Sequence, residues 1–199
     1  NTSWDHARFE TVAHRWVHVG EPGFGVAVAN DSTYGHDITR TRPAEAADAQ
    51  GGTGTTVRLS LLRAPKFPDP DADQGEHELT CELVVGAGID DAVRHGYALN
   101  LPERVVTGDH GVEPLVVVDD DAVVVETVKL AEDGSGDVVV RLYESLGGRA
   151  RARVTPAFEH TGVVVTDLLE RPLDVASRDG DDVLLELTPF QVVTLRVRR

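Results

Sequence analysis

The stretch LSLLRAPKFPDPDADQGEHELT, residues 59–80, lies between two runs of alternating apolar residues at 57–62 and 79–85. Its three prolines cannot continue a strand, because proline lacks the backbone N–H that a sheet requires. The pattern therefore predicts a strand, a long loop and a second strand. The loop exceeds the usual hairpin link of about 2–5 residues and is rich in charged groups. Such loops are often functional, although a merely solvated connection also carries charge.

Similar short apolar runs recur along the chain, separated by Gly, Pro and Asp turns. Valine supplies 31 of the 199 residues, and β-branched side chains suit a half-buried sheet better than a helix. Strands are predicted at 9–18, 24–30, 57–62 and 76–86, within 115–145, and at 149–154, 162–169, 183–188 and 192–197. Only Ile89–Asn100 has apolar residues at helical spacing. The sequence therefore predicts an all-β fold of antiparallel sheets packed as a sandwich.

Two segments punctuate this pattern. Residues 40–56 are rich in Ala, Gly and Thr and predict a mobile loop, and residues 30–37 predict a tight polar turn. The chain changes character near 111–114, where Val-rich hairpins begin. A boundary there predicts two regions, residues 1–114 and 115–199.

Composition restricts the function. The net charge of −15 and the pI near 4.8 argue against binding nucleic acid or an anionic membrane, since both are polyanions. No apolar run approaches the roughly 18 residues of a membrane span. Cys81 lies on a predicted strand, which favours a small core residue over a nucleophile. The absence of methionine and the abrupt start at Asn1 predict a fragment of a longer protein.

The acidic part of the central loop has the D-x-D-x-D rhythm of a calcium loop at residues 69–73. Glycine falls at the seventh position rather than the sixth, and Thr80 rather than glutamate stands at the twelfth. The flanks are also predicted strands. An EF-hand is therefore excluded, whereas another cation on these oxygens remains an alternative.

No other metal or catalytic motif is present. His14 and His18 share a predicted strand face but lie about 13 Å apart, too far for one metal ion. Asp73 and Glu76 are a carboxylate pair of the kind a glycosidase uses, but their spacing does not establish a working distance.

Two charged clusters have simpler interpretations. Residues 119–121 are three aspartates between apolar runs, typical of a turn. Arg149, Arg151 and Arg153 alternate with small residues, which predicts a solvated sheet face opposite carboxylates rather than an anion site.

The order and spacing of several motifs resemble one family over nearly the whole chain. These motifs are NTSWD at 1–5, FE at 9–10, HRWV at 14–17, NDS at 30–32, YG at 34–35, LLRAP at 61–65, DP at 69–70, DQGEH at 73–77, YALN at 97–100, VKLAE at 128–132, RLYE at 141–144, PF at 189–190 and TL at 194–195. Together they resemble the C-terminal β region of glycoside hydrolase family 38 α-mannosidases, of the bacterial and cytosolic branch.

The resemblance implies the tail of a larger, cytoplasmic, retaining, zinc-dependent exo-α-mannosidase that acts on mannose-containing glycans. In that family the carboxylate nucleophile and the zinc ligands lie in an N-terminal α/β barrel and a helical segment. It therefore implies no catalytic residue and no metal ligand in this chain. Residues 1–114 would complete a galactose-mutarotase-like supersandwich, and residues 115–199 would form a small terminal β-sandwich.

The resemblance also implies that the central loop lines the rim of the sugar site contributed by the missing N-terminal catalytic domain. The candidate rim residues are Arg63, Asp73, Glu76 and His77. In another branch of the family an arginine and a Gly-Glu pair approach the active site from this loop. This chain keeps Gly75 and Glu76 but has Ala72 or Asp73 where that arginine would align.

Two other functions remain as alternatives. An independent carbohydrate-binding module would present aromatic platforms, but this chain has only Trp4 and Trp16 as tryptophans and 5% aromatic residues. Alternatively, an exposed Val-rich sheet edge would mediate contact between subunits of a homo-oligomer.

Overall fold

The computed structural model describes residues 9–41 and 54–199, and the chain divides into two compact units at Arg104 and Val105. The NTSWD motif with Trp4 lies outside the described residues. Among those described, no helix is long and apolar enough to cross a membrane.

The N-terminal unit contains two small antiparallel sheets and one helix. Its elements are β1 (Thr11–Val12), β2 (Trp16–Glu21), β3 (Phe24–Asn30), β4 (Gly35–Thr41), β5 (Gly54–Leu59), β6 (Cys81–Val85) and α1 (Ile89–Asn100). The sheets have the strand orders β1-β4-β5 and β2-β3-β6. The predicted helix is confirmed with the predicted bounds.

Helix α1 covers one face of the β2-β3-β6 sheet. Its buried face consists of Ala92, Val93 and Gly96, and Ala92 lies in a cluster with Ala27 and Ala87. These small side chains allow the helix backbone to approach the sheet closely. The Gly88 N–H donates to the Asp91 carboxylate at 2.9 Å, which satisfies an amide at the helix start.

The prediction of one strand over residues 9–18 is wrong. Arg15 has φ of 69°, a left-handed conformation that ends the extended run. As a result β1 pairs with β4, whereas β2 pairs with β3 in the other sheet.

The predicted polar turn at 30–37 is too long, because β4 already begins at Gly35. The loop predicted at 40–56 is also shorter. Arg40 pairs with Thr55, and Thr41 with Gly54, across β4 and β5. Residues 42–53 lie outside the described part.

The interpretation of Cys81 as a core residue is wrong, since its side chain is exposed. Strand β6 turns Glu82 and Val84 toward α1 and leaves Cys81, Leu83 and Val85 on the opposite face. Nothing described covers that face, so Leu83 and Val85 are 66% and 68% exposed.

The C-terminal unit is an antiparallel β-sandwich. Its strands are β7 (Val116–Val118), β8 (Val123–Leu130), β9 (Val138–Glu144), β10 (Ala150–Pro156), β11 (Gly162–Thr166), β12 (Pro172–Val175), β13 (Arg178–Asp179), β14 (Asp182–Leu187) and β15 (Val192–Arg198). The sheets have the orders β13-β14-β10-β7 and β12-β11-β15-β9-β8. Buried side chains from both sheets, among them Leu142, Val154 and Leu195, form one core. The predicted all-β sandwich class is confirmed.

Candidate functional site

Residues 60–80, here called the acidic loop, connect β5 in one sheet of the N-terminal unit to β6 in the other. Almost every side chain in the loop is exposed, so no apolar core shapes it. Its form comes instead from hydrogen bonds of its own polar groups.

Asp73 closes the loop. Its carboxylate accepts the backbone N–H of Ala64, nine residues earlier, at 2.8 Å. Asp73 itself has φ of 60°, a left-handed conformation that aspartate tolerates better than most residues. His77 donates from Nε2 to the backbone carbonyl of Asp73 at 2.9 Å. Two of the four predicted rim residues, Asp73 and His77, are therefore in contact and serve the loop's shape.

The D-x-D-x-D rhythm also serves local structure. The carboxylate of Asp69 accepts the N–H of Asp71 at 2.9 Å, and that of Asp71 accepts the Gln74 side-chain amide at 3.1 Å. These oxygens are thus occupied by N–H donors. Within the described ranges no three His, Cys, Asp or Glu side chains are placed to hold a metal ion, so the donor set does not fit a cation site.

Arg63 and Glu76 differ from the other two candidates. Both are exposed, and neither forms a hydrogen bond or an ion pair with a described residue. Their side chains are therefore available to an external ligand.

The loop is fastened to the rest of the unit at its C-terminal end by Asp31, which sequence reasoning missed as an anchor. The Asp31 carboxylate accepts the N–H of Thr80 at 3.0 Å and the hydroxyl of Ser32 at 2.6 Å. The Ser32 hydroxyl, followed by Thr80, lowers the pKa of Asp31. The NDS triplet was visible in the sequence, but its partner lies 49 residues away.

The remaining candidate clusters are structural. His18 donates from Nε2 to the carbonyl of Ala87 at 2.8 Å, whereas the ring of His14 meets that of Tyr34 edge-on at 5.0 Å. Asp120 accepts the N–H of Ala122 at 2.9 Å, as expected for a turn.

The arginine stripe faces carboxylates, as predicted for a solvated sheet face. Arg151 lies 3.2 Å from Glu186, and Arg153 lies 2.7 Å from Asp182 and 3.1 Å from Asp179. Hydrogen bonds to Asp182 and then Asp179 raise the pKa of Arg153.

Two family models match the chain. The Glycosyl hydrolases family 38 C-terminal domain matches residues 1–71, and the Glycosyl hydrolases family 38 C-terminal beta sandwich domain matches residues 122–195. Together they account for more than half of the sequence.

Curated relatives match along nearly the whole chain. Alpha-mannosidase 2C1 of Homo sapiens is 38% identical over 206 residues, and Alpha-mannosidase G of Dictyostelium discoideum is 31% identical over 209 residues. Each match covers 98% of this chain but 18% of the relative. The chain thus spans about a fifth of the length of these relatives.

A solved structure has the same fold. A protein in the Glycosyl Hydrolase Family 38 from Enterococcus faecalis superposes with a TM-score of 0.65 at 19% identity. The superposition covers 94% of this chain and 22% of that one.

Proposed function

Because this chain belongs to the C-terminal region of glycosyl hydrolase family 38, we propose that it is the non-catalytic β region of a retaining, metal-dependent exo-α-mannosidase. The whole enzyme would remove terminal α-mannose residues from glycans in the cytoplasm. The α-mannosidases that match 98% of the chain support this proposal. The contribution of these residues would be to support the fold and the rim of the active site.

The partner would be the N-terminal catalytic region of the same polypeptide. The face of the β2-β3-β6 sheet opposite α1 supports this role, because Leu83 and Val85 are exposed there beside half-buried Val26 and Val28. Covering apolar surface of this kind is favourable by about 25 cal/mol per Å². Residues 1–114 would complete the large sandwich and 115–199 form the small one, a division within the irregular segment at 101–115.

Zinc or another divalent ion would be held outside this chain. The described residues supply no fitting donor set, so no step of the reaction is assigned to them through a metal.

The acidic loop would form part of the sugar-site rim, and the observation that carries this role is its division of labour. Asp73 and His77 fix the loop's conformation through bonds of 2.8 and 2.9 Å, while Arg63 and Glu76 remain unpaired beside them in sequence. A guanidinium and a carboxylate together donate to and accept from sugar hydroxyls, with little reorganisation when the loop is already ordered.

Hydrolysis of a chromogenic α-mannoside with added zinc or cobalt tests the function. We expect the longer polypeptide to cleave it and the 199-residue chain not to, because the catalytic groups lie elsewhere. Cleavage by the chain alone would place the chemistry in these residues and contradict the proposal. Glycan binding by the chain, with an inactive longer polypeptide, would instead favour a carbohydrate-binding module.

The rim role predicts a kinetic effect for the double variant Arg63→Ala/Glu76→Ala in the longer enzyme. We expect KM to rise about tenfold, since hydrogen bonds to charged groups contribute about 1.5–3 kcal/mol each when a ligand satisfies them. The matched control is Lys66→Ala/Glu78→Ala, which removes the same two charges from exposed, unpaired positions of the same loop. Equal kinetics for the two variants would refute the rim assignment.

A further inference from the structure

Arg15 has a backbone conformation that is unusual for its residue type. Its φ of 69° lies in the left-handed region, which costs of order 1–3 kcal/mol for a residue other than glycine. The surroundings enforce it: the carbonyl of Arg15 accepts the N–H of Asn30 at 2.9 Å, and its Cβ lies against Gly96 of α1. The chain thus holds this side chain in one place at an energetic cost.

The guanidinium of Arg15 has a stacking partner but no acceptor. It lies 4.5 Å from the centroid of the Tyr97 ring. Three other arginines in the described ranges are half-buried, and each of them donates to an oxygen. These are Arg141 to Thr194, Arg153 to Asp182, and Arg196 to Asp137. Arg15 forms no hydrogen bond or ion pair of this kind with a described residue, although the sequence contains 34 acidic residues.

Stacking occupies the face of a guanidinium and leaves its N–H groups free in the plane. Such a planar fork matches two neighbouring oxygens. Because its position is fixed by both the backbone and the ring, Arg15 has the preorganisation expected of a binding group rather than of a mobile surface charge.

An exposed aromatic ring belongs to the same part of the unit. Tyr34 is 49% exposed, and its carbonyl accepts the N–H of Ala13 at 2.9 Å, which fixes it beside the segment that carries Arg15. The ring of His14 meets the Tyr34 ring at 5.0 Å and 80°, so the ring is held in orientation.

We propose that Arg15 and Tyr34 form a subsite for a sugar ring of a glycan, remote from the bond that is cleaved. Arg15 donates in-plane N–H groups to two vicinal hydroxyls, and the Tyr34 ring packs against the apolar C–H face. A neutral ligand fits better than an anion, since the net charge of −15 repels anions. The subsite rests on the proposed α-mannosidase function and adds the recognition of a longer chain.

The test compares Arg15→Lys and Arg15→Gln in the longer enzyme on two substrates, an aryl α-mannoside and an α-mannotriose. KM for the trisaccharide should rise about tenfold in both variants, equivalent to about 1.4 kcal/mol, and KM for the aryl mannoside should not change. Tyr34→Ala should behave similarly, and Tyr34→Phe like the unaltered enzyme.

Several results would overturn the subsite. Retention of full affinity in Arg15→Lys would reduce the role to the cation–π contact, and equal losses on both substrates with a lower Tm would make it structural. A lower Tm with unchanged KM would instead indicate an ion pair with the rest of the polypeptide. If the unaltered enzyme cleaves neither substrate, the proposed function fails, and calorimetric titration with mannotriose then tests the subsite alone. Binding that Arg15→Gln weakens would support it, and binding equal to that variant's would not.

Discussion

Replacing Glu144 with glutamine is expected to lower the free energy of unfolding of the C-terminal unit by about 3–5 kcal/mol. Glu144 ends β9 and is 0% exposed. Its carboxylate accepts four backbone N–H groups, from Leu146, Gly147 and Phe190 at 2.9 Å each and from Gly148 at 3.1 Å. An amide presents one NH₂ group to those donors and leaves at least two without an acceptor. Each unsatisfied buried group costs about 1–3 kcal/mol.

Two loops depend on this carboxylate, at residues 145–149 and 188–191. Gly147 and Phe190 both have positive φ, of 77° and 59°, and the Phe190 ring occupies the space where a Cβ on Gly147 would lie. Neither loop has an apolar core to replace the lost acceptor. Urea unfolding followed by far-UV circular dichroism measures the loss. The control, Glu186→Gln on β14, removes an exposed carboxylate that pairs only with Arg151, and should change stability little.

The same carboxylate predicts an acid dependence for this comparison. Burial raises the pKa of Glu144, but the donated hydrogen bonds, from Phe190 first, outweigh it and bring the pKa below its usual value. Glu144 therefore contributes stability above the pKa of an unfolded glutamate, about 4.3, and this is lost as pH falls through the folded pKa. The difference between the unaltered protein and Glu144→Gln should narrow in acid. A constant difference down to pH 2 would show that ionised Glu144 is not the stabilising form.

Asp133 accounts for part of the acid sensitivity that remains in both proteins. The Ser135 hydroxyl and then Arg196 lower its pKa to about 2. Because this group is common to both proteins, it cancels in the difference and does not obscure Glu144.

Regular periodicity made much of the fold predictable. The helix Ile89–Asn100 and the strand Phe24–Asn30 were found with their observed bounds, since both are amphipathic or apolar over their whole length. The short strands β12 and β13 were not predicted. β12 is exposed along its four residues and β13 has only two, so neither repeats an apolar pattern long enough to detect.

Long-range bonds made the rest unpredictable. A left-handed arginine leaves no mark in a sequence, and Arg15 therefore split one predicted strand into two. The acidic loop was identified as a candidate site, but sequence did not separate Asp73, which accepts a bond from Ala64, from unpaired Glu76. Charge composition identifies a loop, whereas the partners of its side chains depend on how it closes.

Replacing Gly25 with alanine is expected to destabilise the N-terminal unit by roughly 1–3 kcal/mol, the usual cost of overpacking. A Cβ at Gly25 would overlap the carbonyl oxygen of Ala87 and Nε2 of His18. The backbone at Ala87 cannot easily move, since the neighbouring Gly86 N–H donates to the Gly25 carbonyl at 2.8 Å. The imidazole cannot easily move either, because its Cε1 lies 2.6 Å from where a Cβ on Gly20 would be.

Local hydrogen exchange distinguishes this explanation from a general effect of substitution. Amides of β3 and α1 should exchange faster in Gly25→Ala, because the bond from His18 to Ala87, 2.8 Å long, joins β2 to the turn before α1. Gly162→Ala is the control, as a Cβ there meets nothing within 4 Å. Adding His18→Ala should restore only part of the protection, since the overlap with the Ala87 oxygen persists. Full restoration would mean that the imidazole alone resists the new methyl group, and equal loss of protection in β9 would rule out a local clash as the cause.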